Sequence, residues 1–214
     1  MTSKVQARGW QAVFWAFFWT ILVSASLWFL WRATHYVITR DPQPGATFLN
    51  RQLWYYAHMG AAVPLLFIAP LQFSQRLRIA RPRIHRMLGQ VFLGGSILAG
   101  VLASYIGATI QYDGSRLPLA IFGLIWAGFA IAAWLAARAK SYPLHRKFVI
   151  RTYAVALAFV WVRVLEAFDS YFFPFIQSQD VRDTTTEWLS FVLPLVIAET
   201  YISWWPDVRK VLRG

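Results

Sequence analysis

Four histidines, His35, His58, His85 and His145, and three ionisable residues inside long apolar runs, Arg151, Arg163 and Glu199, are the residues whose types and spacing could do chemistry. A neutral imidazole ligates metal or haem, or bonds a quinone head group. A charge at membrane depth is costly and is expected to have a partner or a task. Two histidines are each followed by arginine shortly after a proline, in "PRIHRMLG" and "PLHRKFVI". His85 also sits inside a cluster of Arg76, Arg78, Arg81, Arg83 and Arg86 that contains no acid. Absence of cysteine excludes disulfides, thiolate metal sites and a cysteine nucleophile. There is no phosphate-binding loop, hydrolase triad or zinc-protease motif, which argues against ATP-driven or hydrolytic work.

These residues must be positioned by elements of an unusual composition. Hydrophobic residues make up 58% of the 214 residues and charged ones 14%, too apolar a balance for a water-soluble domain. The net charge of +12 suggests a nucleic-acid binder only until the basic residues are located. They stand between apolar runs, not on a soluble scaffold, so no nucleic-acid partner is expected. Six runs, at residues 10–31, 53–73, 88–110, 117–137, 148–168 and 188–205, are close to the roughly 20 residues that cross a bilayer core. They predict an all-α fold: a polytopic membrane helical bundle of six transmembrane helices, one integral membrane domain over residues 1–214. The first run reads as a retained helix, being longer than a signal core and lacking a small-x-small site before His35. The period-two alternation of a membrane barrel is missing.

Charge orients the bundle. Lys4, Arg8, the five clustered arginines, Arg138, Lys140, Arg146, Lys147, Arg209, Lys210 and Arg213 fall on one side, with Asp207 as the only acid. The other side holds Arg32, Arg40, Arg51, Arg116 and Arg182 against Asp41, Asp113, Asp169, Asp180, Asp183 and Glu187. By the positive-inside rule both termini are cytoplasmic, and the arginine cluster is a topology signal and a contact for anionic lipid head groups. Arg151 and Glu199 each lie six residues from the cytoplasmic end of their runs, marked by His145 and Trp205, so an intramembrane ion pair is expected. It either ties spans five and six together or serves a proton or substrate. Arg163 and Glu166 fall near the depth of His58, where they form a quinone or anion site or a structural network. His35 and His58 lie toward the outer face and His85 and His145 toward the inner one, as two bis-histidine b haems would require, although the inner pair stands at helix starts near the head groups. His85 and His145 converge only if spans three and five are neighbours; otherwise each belongs to its own helix start. Gly95, Ala99, Ala103 and Gly107 form a small-residue stripe, read as packing within one chain in preference to homodimer contact.

The stretch "HMGAAVPLLFIAPLQFSQRLRIARPRIHRMLGQVFL", followed by "LHRKFVIRTYAVALAFVWVRVLE", resembles a bacterial family of predicted multi-span membrane proteins, domain of unknown function 2306. The elements that carry the resemblance fall on His58, Pro70, Gln72, Phe73, His85, Arg86, Gly89, His145, Arg146, Arg151 and Ala154. Ala69 stands where many relatives would have glycine, and His35 matches nothing in the pattern. The resemblance implies a multi-pass protein of the bacterial inner membrane and assigns no reaction. The His-Arg helix start is also similar to a smaller family of membrane proteins implicated in maturing haem–copper oxidases. Three functions remain, in this order. The first is a non-enzymatic accessory subunit or assembly factor of a respiratory or photosynthetic complex, packed against membrane lipids and protein partners or its own copies. The second is a redox protein in which His58, His85 and His145 hold haem b or copper or face a quinone. The third is a small transporter or lipid-handling protein.

Overall fold

The computed structural model describes residues 47–109 and 113–213 and, ahead of them, residue 13 and residues 16–21, 23–28 and 30–31. His35, Lys4, Arg8 and residues 41–45 lie outside the described residues. The chain divides into two units, Met1–Gln43 and Pro44–Gly214. Helix α1 (Ala16–Trp28) belongs to the first. All regular structure among the described residues is helical.

The second unit opens with α2 (Thr47–Gln72), which carries Pro64 and Pro70 in its interior. Lacking an N–H, Pro70 weakens the last turn. The chain leaves it through two tight bonds, Phe73 N–H to the Pro70 carbonyl (3.2 Å) and Ser74 N–H to the Leu71 carbonyl (3.1 Å). Ser74 then caps α3 (Gln75–Ala80), its hydroxyl accepting from Leu77 N–H at 3.2 Å. Helix α4 (Pro82–Thr109) starts on a proline whose missing N–H costs nothing there. It therefore begins six residues before the apolar run at 88, because hydropathy marks the lipid-buried stretch and not the helix start.

Helix α5 (Asp113–Arg138) returns and ends in a Schellman turn, with Lys140 N–H bonded to the Ala137 carbonyl and Ser141 N–H to the Ala136 carbonyl. Lys140 occupies the left-handed position usually given to glycine, at φ 57°. Helices α6 (Tyr142–Ala156) and α7 (Ala158–Ala167) form one span with a joint at Leu157. After the short α8 (Asp169–Phe172), α9 (Gln179–Glu199) runs through a π-helical turn (Thr200–Trp204) into α10 (Trp205–Val211).

Among the described residues five helices are long and apolar enough to cross a membrane: Leu53–Gln72, Pro82–Thr109, Gly114–Arg138, Tyr142–Ala167 and Gln179–Val211. Their up-and-down order brings the end of α2, all of α3, the starts of α4 and α6 and the ends of α5 and α10 to one end of the bundle. This is the end that holds the arginine cluster. In lipid, helices gain little from hiding apolar surface from one another and associate through close packing. The α4–α5 seam has that closeness. A Cβ on Gly100 would lie 2.7 Å from the Gly123 carbonyl oxygen, and one on Gly123 would lie 2.6 Å from Ser104 N. Gly95 meets Leu65 of α2 and Gly107 meets Leu119 of α5, so the small-residue stripe is used within the chain. Leu65, Phe92, Trp126, Tyr153, Val155 and Phe191 belong to the buried core.

Candidate functional site

At the arginine-rich end Arg76, Arg78, Arg81, Arg83 and Arg86 are all exposed on α3 and the first turn of α4. Among the described residues none of them forms an ion pair. His85, on the same turn, is half-buried, and Arg78 and His145 both lie within electrostatic reach of it. Its Nδ1 is buried and has no hydrogen-bond partner among the described residues. His145 is oriented differently: its Nδ1–H donates to the Ala133 carbonyl of α5 at 2.9 Å. A carbonyl only accepts, so this bond puts a proton on Nδ1, the anchoring also found in metal-ligating histidines.

Deeper from the same end, Gln72 closes α2 with its side-chain oxygen 3.2 Å from where a Cβ on Gly89 would be. A Cβ there would ask the carboxamide to give way by a few tenths of an ångström. The Gln72 Nε2 is buried without a partner among the described residues, and so is the Tyr153 hydroxyl of α6. Phe73, the next residue after Gln72, packs on the Tyr153 ring with centroids 6.1 Å apart. The end of α2 is thus wedged between α4, which Gln72 faces, and α6, which Phe73 faces.

Arg151 and Glu199 form a two-point ion pair between α6 and α9, Nε to Oε1 and Nη2 to Oε2, the second at 3.0 Å. Ser203 on the π-helical turn donates to Oε2 at 3.1 Å, and the guanidinium lies 5.0 Å from the Phe148 ring centroid. The pair is mostly shielded, with side chains 17% and 28% exposed.

Toward the opposite end, His58 is buried and its Nδ1–H donates to the Ala99 carbonyl of α4 at 2.9 Å. Its ring lies 5.1 Å from Phe159 and 6.4 Å from Trp126. Ala99 is 14 residues beyond His85 on α4, about 21 Å of helix at 1.5 Å per residue, so His58 and His85 belong to different levels. Arg163 bonds to Glu166 on its own helix, one turn beyond Phe159. Both act electrostatically on Glu187 of α9, which sits beside Ser115 and has one carboxylate oxygen buried without a partner among the described residues. Outside the spans, Asp169 accepts from Gln179 Nε2 at 2.9 Å and from Ser170 N–H, with Arg182 at 3.8 Å. These groups, Gln179 foremost, hold its carboxyl below the usual range.

The family described as predicted membrane protein (DUF2306) matches residues 55–202. The chain belongs to this family. No curated protein and no solved structure matches it. The matched stretch takes in all five spans in whole or large part, and with them Gln72, Phe73, His85, Gly89, His145 and Tyr153. Among the described residues no group of three or more histidine, aspartate or glutamate side chains is arranged to hold a metal ion.

The structure brings His85 toward His145 and keeps His58 apart from both. Sequence reasoning gave Gln72 no chemical role and passed over Tyr153, Ser115 and the buried face of Glu187. Their common signal was faint: a polar group at or inside the edge of an apolar run, without a charge to draw attention.

Proposed function

We propose that the chain is a non-enzymatic accessory subunit or assembly factor of a bioenergetic membrane complex. In this reading it is one six-span domain of the bacterial inner membrane, the first apolar run supplying the sixth span and both termini facing the cytoplasm. The observation that carries it is a shallow, open apolar groove on the outward side of the α4–α5 seam, lined by Gly94, Ile97, Leu98, Ile131, Trp134 and Leu135. A concave face at mid-span offers a second protein's helix the close contact that drives association in lipid. Gly94 leaves the groove open, and a Cβ there would only touch Trp134 at 4.0 Å. Gly94→Leu should therefore fill the groove without disturbing the fold. Affinity purification in mild detergent tests this: the original chain should bring membrane proteins with it, and Gly94→Leu should lose them at unchanged melting temperature. Partners retained by the filled groove would sink the reading.

A redox role is the second reading, supported by the Nδ1 anchors of His58 and His145, which leave each Nε2 available to haem b or copper. The visible spectrum of protein purified with haem supplied tests it. A Soret band that shifts on reduction and is lost in His145→Ala supports the reading, and a featureless spectrum removes haem.

A further inference from the structure

Three buried polar atoms at the arginine-rich end, Gln72 Nε2, His85 Nδ1 and the Tyr153 hydroxyl oxygen, have no partner among the described residues. Leaving one such atom unpaired costs about 1–3 kcal/mol, so three on adjoining elements call for an occupant. Their levels agree. His85 and Gly89 share a face of α4 one turn apart, and Gly89 is where Gln72 rests. On α6, Tyr153 lies two turns beyond His145, about 12 Å of rise. Helical side chains lean toward the N-terminus, so its hydroxyl comes back about one turn, to the level of Gln72. The Phe73–Tyr153 ring contact ties the two sides together.

We propose that the space between Gln72 and Tyr153 binds the head group of a membrane-dissolved quinone, one ring carbonyl accepting from Gln72 Nε2 and the Tyr153 hydroxyl, with His85 on its surface side and the apolar tail leaving between α2 and α6. An amide and a phenol are neutral donors. Tyr153 is only 8% exposed, and the site lies below the five exposed arginines. An anionic phosphate would be met by those guanidinium groups at the surface, whereas a neutral carbonyl suits the donors beneath them. The inference is independent of the partner groove and of haem at His145.

Equilibrium dialysis of detergent-solubilised protein against a short-chain ubiquinone provides the test. Tyr153→Phe keeps the ring against Phe73, and Gln72→Leu keeps bulk against Gly89. Each should weaken binding about two- to tenfold, the loss of one neutral hydrogen bond. The double variant should weaken it by roughly the product, while the melting temperature without quinone stays level or rises. In the unaltered protein a photoreactive azido-quinone should label peptides containing the end of α2 or the middle of α6, a readout that needs no variant to fold. Unchanged affinity in the double variant would overturn the proposal. So would labelling confined to other helices, or displacement of the bound quinone by phosphatidylglycerol vesicles, which would make the cleft a phosphate site.

Discussion

The two ends of the bundle handle charge in opposite ways. At the end formed by α8 and the start of α9, several acids meet partners within the chain, Arg163 with Glu166 and Arg182 and Gln179 with Asp169, while Glu187 keeps one buried oxygen unpaired among the described residues. At the other end the arginines of α3 and α4 are exposed and unpaired among the described residues, and two acids, Glu199 and Asp207, are bonded to Arg151 and Lys210. The lesson is one of destination. Charges compensated inside the chain hold elements together, whereas a dense uncompensated patch is available to something outside, and anionic head groups are the nearest such partner. Beneath that patch the unpaired groups are neutral donors, so this end offers two layers of different chemistry.

The comparison breaks most completely if the orientation is wrong. A reporter fused after Gly214 should behave as cytoplasmic and one inserted near Gly114 as external, an all-or-none outcome under the positive-inside rule. An external C-terminus would turn the arginine patch away from the cytoplasmic leaflet and end the head-group reading.

Next in size is the exception at the arginine-rich end, the shielded Arg151–Glu199 pair. Glu199→Gln leaves a guanidinium at membrane depth with its bidentate partner weakened, and should lower stability by about 1–3 kcal/mol. Thermal unfolding in detergent measures this. Adding Arg151→Gln should cost less than the sum of the single changes, and strict additivity would show that the two groups act separately.

A smaller effect is expected at Lys140, which holds a left-handed backbone at the turn into α6. Lys140→Gly should relieve about 0.5–1 kcal/mol of backbone strain. If stability falls instead, the lysine charge contributes more than its conformation costs, which would sharpen the case for head-group contact.

The smallest concerns Asp169 at the opposite end. Its folded pKa lies below the unfolded value, so its bonds to Gln179, Ser170 and Arg182 contribute above the ordinary carboxylate range and are lost as pH falls through the lowered value. Hydrogen-exchange protection of residues 168–178, taken relative to the intrinsic rate at each pH, should fall below about pH 4. The arginine-rich end should show no matching change in that range apart from the neighbourhood of Glu199 and Asp207.

The amino-acid sequence by itself determined the class of this protein, its helical content and the two ends of unequal charge, because each follows from hydropathy and charge summed along short stretches. Five of the six apolar runs overlap span-length helices among the described residues, but most of these helices begin several residues before their runs, two of them at or beside Pro82 and Pro143. The first run lies partly outside the described residues. Depth was legible too, since residues on a straight helix advance by a constant rise: Arg151 and Glu199 could be put at one level by counting. Facing could not. A membrane helix is apolar on all sides, so no polar stripe tells which residues turn toward a neighbour and which toward lipid. Only the tertiary structure decided that His58 bonds to the Ala99 carbonyl, that Ser203 on a π-helical turn joins the Arg151–Glu199 pair, and that Gln72 rests on Gly89 while Phe73 reaches Tyr153. These are properties of helix rotation and neighbour order, which depend on the glycine contacts of the α4–α5 seam and on the wedge at the end of α2.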